Sequence, residues 1–447
     1  MTVSAEGSRA NRRYTLFLLT SVFTLNIVDR GLIMLLLQPI KEELHLNDSQ
    51  LGLLTGIVFG FFYAVCGLPL SRLADKGDRV TLTSIAIGLW SITVMSCVFV
   101  RTYAQLALAR MFAAVGEAGC IPPTYSLIGD YFPGPVERTR AMTAYWLGSP
   151  LASLISFGIG GWLNDHFGWR MTFFFMGIPG VVLAIVAKLT ISEPRKAQSS
   201  TQRAVSTLPA MRSVLATLWG CDTTRHLTVA LILLYTVAFG IAPWYAPLMM
   251  RIHGMGTTEV GTLLGVIFCV TGILGVLFGG YVSTSWFASQ ESRQLKATAA
   301  AVAAMAPSLF AFVTLPGKYA ALTALGVFTL VLNFFLAPGY ALLQRLVADD
   351  MRATTLAVVL MSGNLIGMGV GPQIVGIVSD ALQPMVGVHS LSYGMALMCG
   401  VALWSAHHFL KASRTVESDL ASVSSTSSPQ SSVQDSLSAN CTSGNSI

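Results

Sequence analysis

Apolar residues run in long blocks along this chain, separated by short polar stretches, and the blocks recur from Tyr14 to Leu410. About 20 apolar residues is the length a helix needs to cross the hydrocarbon core of a bilayer. The pattern predicts twelve such helices, at 14–37, 51–71, 80–100, 104–129, 141–163, 171–191, 226–250, 258–286, 296–315, 319–346, 354–382 and 388–410. Several contain Gly and Pro, which membrane helices tolerate because neighbouring helices satisfy the freed backbone groups. The expected fold class is therefore all-α, a membrane protein of twelve transmembrane helices in two six-helix bundles.

The polar stretches divide the chain. Residues 1–13 form an N-terminal segment, 14–191 the first bundle and 226–411 the second. Between the bundles, 192–225 carries Glu193, Pro194, Arg195, Lys196 and a Ser/Thr/Gln cluster, and reads as a linker. The tail, 412–447, is Ser-rich and poor in aromatics, so disorder is expected there.

Composition agrees with a lipid solvent: 53% of residues are hydrophobic and 11% charged, against about 25% charged in soluble domains. Basic residues favour cytoplasmic loops. With the N-terminus inside, twenty of the 27 Lys and Arg fall on cytoplasmic segments, five outside and two within spans. Both termini are thus expected in the cytoplasm, in an inner-membrane protein whose net charge of +6 reflects topology rather than binding of nucleic acid. The first span continues through Asp29 and Arg30 without a small-residue exit, so it is read as retained rather than cleaved. Seven cysteines show no metal-ligand spacing, and the seven histidines sit at loops or span ends. No cofactor is implied, nor a nucleophile with its base, so an enzyme is not expected.

The halves echo each other. Gly148, Gly161 and Asp165 recur at the same spacing as Gly363, Gly376 and Asp380 in the equivalent span, as parallel transporter repeats do.

Four ionisable residues lie inside the first half: Asp29 and Arg30 in the first span, Arg110 and Glu117 in the fourth. A charge inside the membrane is costly, so it normally faces a cavity or a partner and marks a pathway. Arg110 and Glu117 are two helical turns apart and share a face, whereas Asp29 and Arg30 differ by about 100° around their helix. The arrangement expected has Asp29 and Glu117 titrating, with Arg30 and Arg110 as counter-charges; a buried network that only fixes packing is the plainer reading. The second half has no charge deep in a span. Its candidate polar contacts are Tyr235, Asn333 and Asn364, with Asn26 added from the first half.

The loop after the second span reads Ser71-Arg72-Leu73-Ala74-Asp75-Lys76-Gly77-Asp78-Arg79. Its Leu-Ala-Asp core matches the loop pattern of the major facilitator superfamily, with Ser71 where that pattern has Gly. A carboxylate at such a helix end can accept from a facing helix N-terminus and pair with arginine, which makes Asp75, Arg79 and Arg138 candidates for an inner gate. The corresponding stretch of the second half, 280–284, lacks the Asp. Pro243 and Pro247 remove backbone donors in the seventh span and permit an outer bend.

From Tyr14 to Lys411 the chain resembles the major facilitator superfamily, and several segments resemble its Spinster branch of sphingolipid and lysolipid transporters. These are Asn26-Ile27-Val28-Asp29-Arg30-Gly31, Ser49 to Gly56, Arg110 with Gly116-Glu117-Ala118-Gly119, Asp130-Tyr131-Phe132-Pro133, and Phe167-Gly168-Trp169-Arg170. The resemblance implies the major facilitator fold and ties Asp29, Arg30, Arg110 and Glu117 to proton coupling and to binding of a polar head. The expected function is proton-coupled secondary transport of an amphipathic or organic-anion solute by alternating access, by a monomer. Symport of a small carboxylic acid is the alternative, and a transporter-derived receptor or channel the reading from a different class. The implied partners are a small or lipid-like solute, protons and the bilayer.

Overall fold

The computed structural model describes residues 9–194, 211–285, 290–347 and 351–426. No strand occurs among them. Backbone amides and carbonyls find no water in hydrocarbon and must pair within their own helix.

Nine helical runs among the described residues are long and apolar enough to cross a membrane. Two are too long for one crossing: Pro135–Thr190 has 56 residues and Thr354–Ala421 has 68, about 84 and 102 Å of helix. Each breaks at a glycine of positive φ, Gly168 (76°) and Gly387 (58°), where a side chain would clash with the backbone. Nine runs, two further crossings from these breaks and the shorter apolar helix that begins at Lys318 give twelve crossings among the described residues, consistent with the order of the hydrophobic blocks. Entry into several spans is set by capping. Asn47 and Thr102 form capping boxes with Gln50 and Gln105, and Asp78 accepts from the Thr81 N–H, satisfying donors that a helix start leaves free.

Two ends differ from the sequence pattern. The first helix starts at Arg9, before Tyr14. The last runs through Thr426, past Ala412, where the Ser-rich composition suggested disorder. Burial explains this: Ala412 and Val416 are fully enclosed, and the Asp419 carboxylate accepts from the Thr223 N–H at 3.1 Å and from Cys221 Sγ at 2.9 Å. Within the expected linker, Met211–Gly220 is a helix that buries Val214 and Leu218; 195–210 lies outside the described residues.

Within the first half, the third span packs on the fourth and sixth; within the second, the twelfth packs on the seventh and ninth, and the eighth on the tenth. The halves meet chiefly where the second span crosses the eleventh and the fifth crosses the eighth. Glycines allow these crossings. A Cβ on Gly56 would lie 2.3 Å from the Gly369 carbonyl oxygen, and one on Gly261 2.1 Å from that of Phe157. Small residues serve this purpose in membranes, where lipid already solvates apolar side chains and close backbone approach supplies the attraction. Three of these four helices carry a π-helical segment at the crossing: Leu54–Val58, Leu154–Ile159 and Asn364–Val370. Large apolar side chains such as Phe17, Leu189, Leu277 and Met385 cover the outside, as a lipid-facing surface requires.

Candidate functional site

The first and fourth spans place their charges in two crossed ion pairs. Arg30 Nε donates to Glu117 Oε2 at 2.7 Å, and Arg110 Nη1 to Asp29 Oδ2 at 2.7 Å. Glu117 has no solvent exposure, and Asp29 and Arg110 are buried. The pairing follows from helical geometry. Arg110 and Glu117 lie on one face of the fourth span, and the adjacent Asp29 and Arg30 of the first span reach one each.

Neither pair is saturated. Arg30 Nη2, Arg110 Nε, Asp29 Oδ1 and Glu117 Oε1 are buried without a hydrogen bond in the protein. The second span supplies softer contacts: the Arg30 guanidinium lies 5.1 Å from the Phe59 ring centre and 4.9 Å from that of Tyr63, and Arg110 lies 4.9 Å from Phe59. Cation–π attraction of this kind helps hold the two cations without consuming their donors.

Beside these pairs lies a cavity of about 400 Å³ between the halves, within the range that accommodates small ligands. Arg30 and Arg110 line it, with Thr55, Ser149, Ser153 and Ser156 on the same side. The facing wall is formed by Phe239, Ala242, Pro243, Tyr245, Phe268, Leu332 and Met368, with Thr329 and Asn333 as its polar members. One wall can therefore offer two guanidinium groups and a set of hydroxyls to an anion, and the other can offer apolar surface to a chain or ring.

The remaining sequence candidates fall in several places. Asp29 is absent from the cavity wall and borders a small void with Trp90 and Ser91. Asn26 is fully buried, with both amide atoms unpaired, off the cavity lining. Tyr235 packs against Phe239 and Tyr340, and Asn364 opens a π-helical segment; neither lines the cavity. Pro243 lines it, whereas Pro247 is buried behind.

At the face bearing the N-terminus, Arg79 is fully buried, hydrogen-bonded to Glu193 and Ser126 and 2.6 Å from Asp130. It ties the start of the third span to the ends of the fourth and sixth. Arg138 donates to the carbonyls of Gly129 (3.0 Å) and Phe132 (3.4 Å), capping the fourth span within its own half. The side chain of Asp75, and those of 280–284, lie outside the described residues.

Phe59, Tyr63, the three serines of the fifth span and Phe268 were not singled out from sequence. Aromatic and hydroxyl residues are ordinary members of any span, and the pattern alone does not say which of them face inward.

A helical bundle of twelve crossings with a partly charged cavity between its halves defines a multi-pass membrane transporter. The sequence profile of the Major Facilitator Superfamily matches residues 19–372, and the chain belongs to that family. It is 31% identical to an MFS-type efflux pump of Mycolicibacterium smegmatis over 85% of this chain and 87% of the relative. A sphingosine-1-phosphate transporter of Danio rerio is 25% identical over 84% of this chain and 78% of its own. Among solved structures, a bacterial homologue of the human lysosomal transporter Spinster, crystallised in an inward-facing and unoccupied conformation, superimposes with a TM-score of 0.81 at 25% identity, covering 92% of this chain and 99% of that one. These similarities bear out the resemblance to the Spinster branch of the family.

Proposed function

We propose that this transporter is an inner-membrane carrier, both termini cytoplasmic, that uses a proton gradient to move an amphipathic solute with an anionic head. The observation that carries the proposal is the asymmetry of the cavity: two partly free guanidinium groups on one wall and an apolar wall opposite. The basic segments at the N-terminal face support the orientation.

Coupling follows from shared partners. Glu117 is buried with Arg30 as its counter-charge, and removing one member of a buried pair strands the other. An anionic head that takes the Arg30 guanidinium leaves the Glu117 carboxylate needing another counter-charge, and a proton is the one small enough to reach it. Release of the head restores the ion pair and expels the proton. Cargo and proton are then bound together and released together.

The test is flux in proteoliposomes with an imposed pH gradient, comparing lysolipids with aromatic and sugar acids. The proposal expects gradient-dependent movement of the amphipathic anions and little of the small acids. Gradient-independent flux would remove the proton from the cycle, and preference for the small acids would select the alternative cargo.

A further inference from the structure

The repeated Gly and Asp positions of the fifth and eleventh spans meet equivalent targets at the face opposite the N-terminus. Asp380 accepts from the backbone N–H groups of Asp48 (2.8 Å) and Ser49 (2.7 Å), the first residues of the second span. Asp165 accepts from the N–H of Thr258 at 2.8 Å, at the start of the eighth span, and Asn164 Nδ2 donates to Thr257 Oγ1 at 3.0 Å. Each carboxylate therefore reaches across to the other half and grips the start of a helix whose first amides have no intrahelical acceptor. The glycine four residues earlier makes room: a Cβ on Gly376 would fall 2.3 Å from the Asp48 carbonyl oxygen, and one on Gly161 2.6 Å from that of Thr257.

The two grips differ in strength. On the eleventh-span side Asp48 is itself held by Arg251 Nη1 and Nη2, both at 2.7 Å, by Lys41 at 2.6 Å and by Ser379 Oγ at 2.6 Å. Arg251 also donates to Gln38 at 2.6 Å. The Asp165 side is more exposed and carries fewer bonds.

We infer that Asp165 and Asp380 are paired gate residues that hold this face of the transporter shut, and that they release as one event. The halves are packed bodies joined at both crossings, so a rocking motion that separates the second span from the eleventh must also separate the fifth from the eighth. The eleventh-span grip carries the larger share of the closing free energy. The inference rests on the alternating-access reading, but its measurement needs neither cargo nor gradient.

Hydrogen exchange of the intact protein in nanodiscs reads the gripped amides directly. In Asp380→Asn, exchange should quicken at residues 48–54 and equally at 257–263 on the other side, by about five- to thirtyfold, the range expected for loss of a strong cap. Asp165→Asn should give the same two-sided pattern with a smaller increase. Gly161→Ala, which leaves both carboxylates intact but places a methyl against the Thr257 carbonyl, should also quicken exchange on both sides, and it decides the matter if Asp380→Asn does not fold. Quickening confined to the helix end beside each substitution would make these residues local caps and overturn the gate. Unchanged exchange would overturn it too. If the two-sided pattern holds while the parent shows no cargo flux in proteoliposomes, the transport reading fails and the gate stands.

Discussion

The two walls of the cavity solve different problems. The first-half wall carries Arg30 and Arg110, each anchored by one carboxylate and cushioned by Phe59, with donors to spare. The second-half wall has no charged lining residue and presents Phe239, Tyr245, Phe268 and Met368. A charge in low dielectric is stable only where its partners are fixed, so concentrating the ion pairs in one bundle lets that bundle keep them through a rocking motion. The apolar wall can slide along a cargo without breaking a directional bond. Chemistry resides on one side and accommodation on the other.

The largest break in this contrast should come from the carboxylates. Glu117→Gln keeps shape and removes titration, so gradient-driven accumulation in proteoliposomes should fall to background while exchange of cargo at equal pH persists. Asp29→Asn should also abolish accumulation, but it strands Arg110, which is more deeply buried than Arg30. A stability loss of about 3–5 kcal/mol is therefore expected, visible as a lowered Tm in detergent. Equal behaviour of the two variants in both measurements would mean that the pairs are interchangeable.

A smaller effect is expected from the cations. Arg110→Gln removes a charge-assisted contact of about 1.5–3 kcal/mol, so Kd for an anionic cargo should weaken by about ten- to a hundredfold, and less for an uncharged analogue of the same shape. Equal loss for both cargoes, measured by calorimetry, would show that Arg110 only supports packing. The smallest effect belongs to the apolar wall. Phe268→Ala should weaken long-chain cargo by about 1–3 kcal/mol and short-chain cargo by less, with the pH dependence of transport unchanged. A shift in pH dependence would mean that the second half shares the coupling.

The charged residues of the site were legible because a carboxylate or guanidinium in an apolar run has no ordinary explanation. Their pairing, Arg30 with Glu117 and Arg110 with Asp29, needed the helices side by side. The aromatic cushion was hidden for a different reason. Phe59 follows directly after the π-helical segment Leu54–Val58, and a widened turn breaks the 3.6-residue period by which faces are read from sequence. The echo of Asp165 in Asp380 was visible as spacing, but its meaning depends on helix starts that belong to the opposite half. The Ser-rich stretch after Ala412 looked unable to order itself because composition does not reveal that Val416 finds a buried site against neighbouring helices.

The π-helical segments have a consequence for how this chain can change over evolutionary time. A widened turn is, in sequence, one residue inserted into a helix without disturbing its two ends. Loss of a single residue from Leu154–Ile159 would leave a regular helix with both ends in nearly the same register, so Gly161 and Asp165 would still face the eighth span. What would change is the widened turn itself, where Ser156 and Phe157 line the cargo cavity. A one-residue deletion at this point would spare the seal and reshape the cargo pocket. An alignment should place single gaps in these segments more readily than elsewhere in the spans.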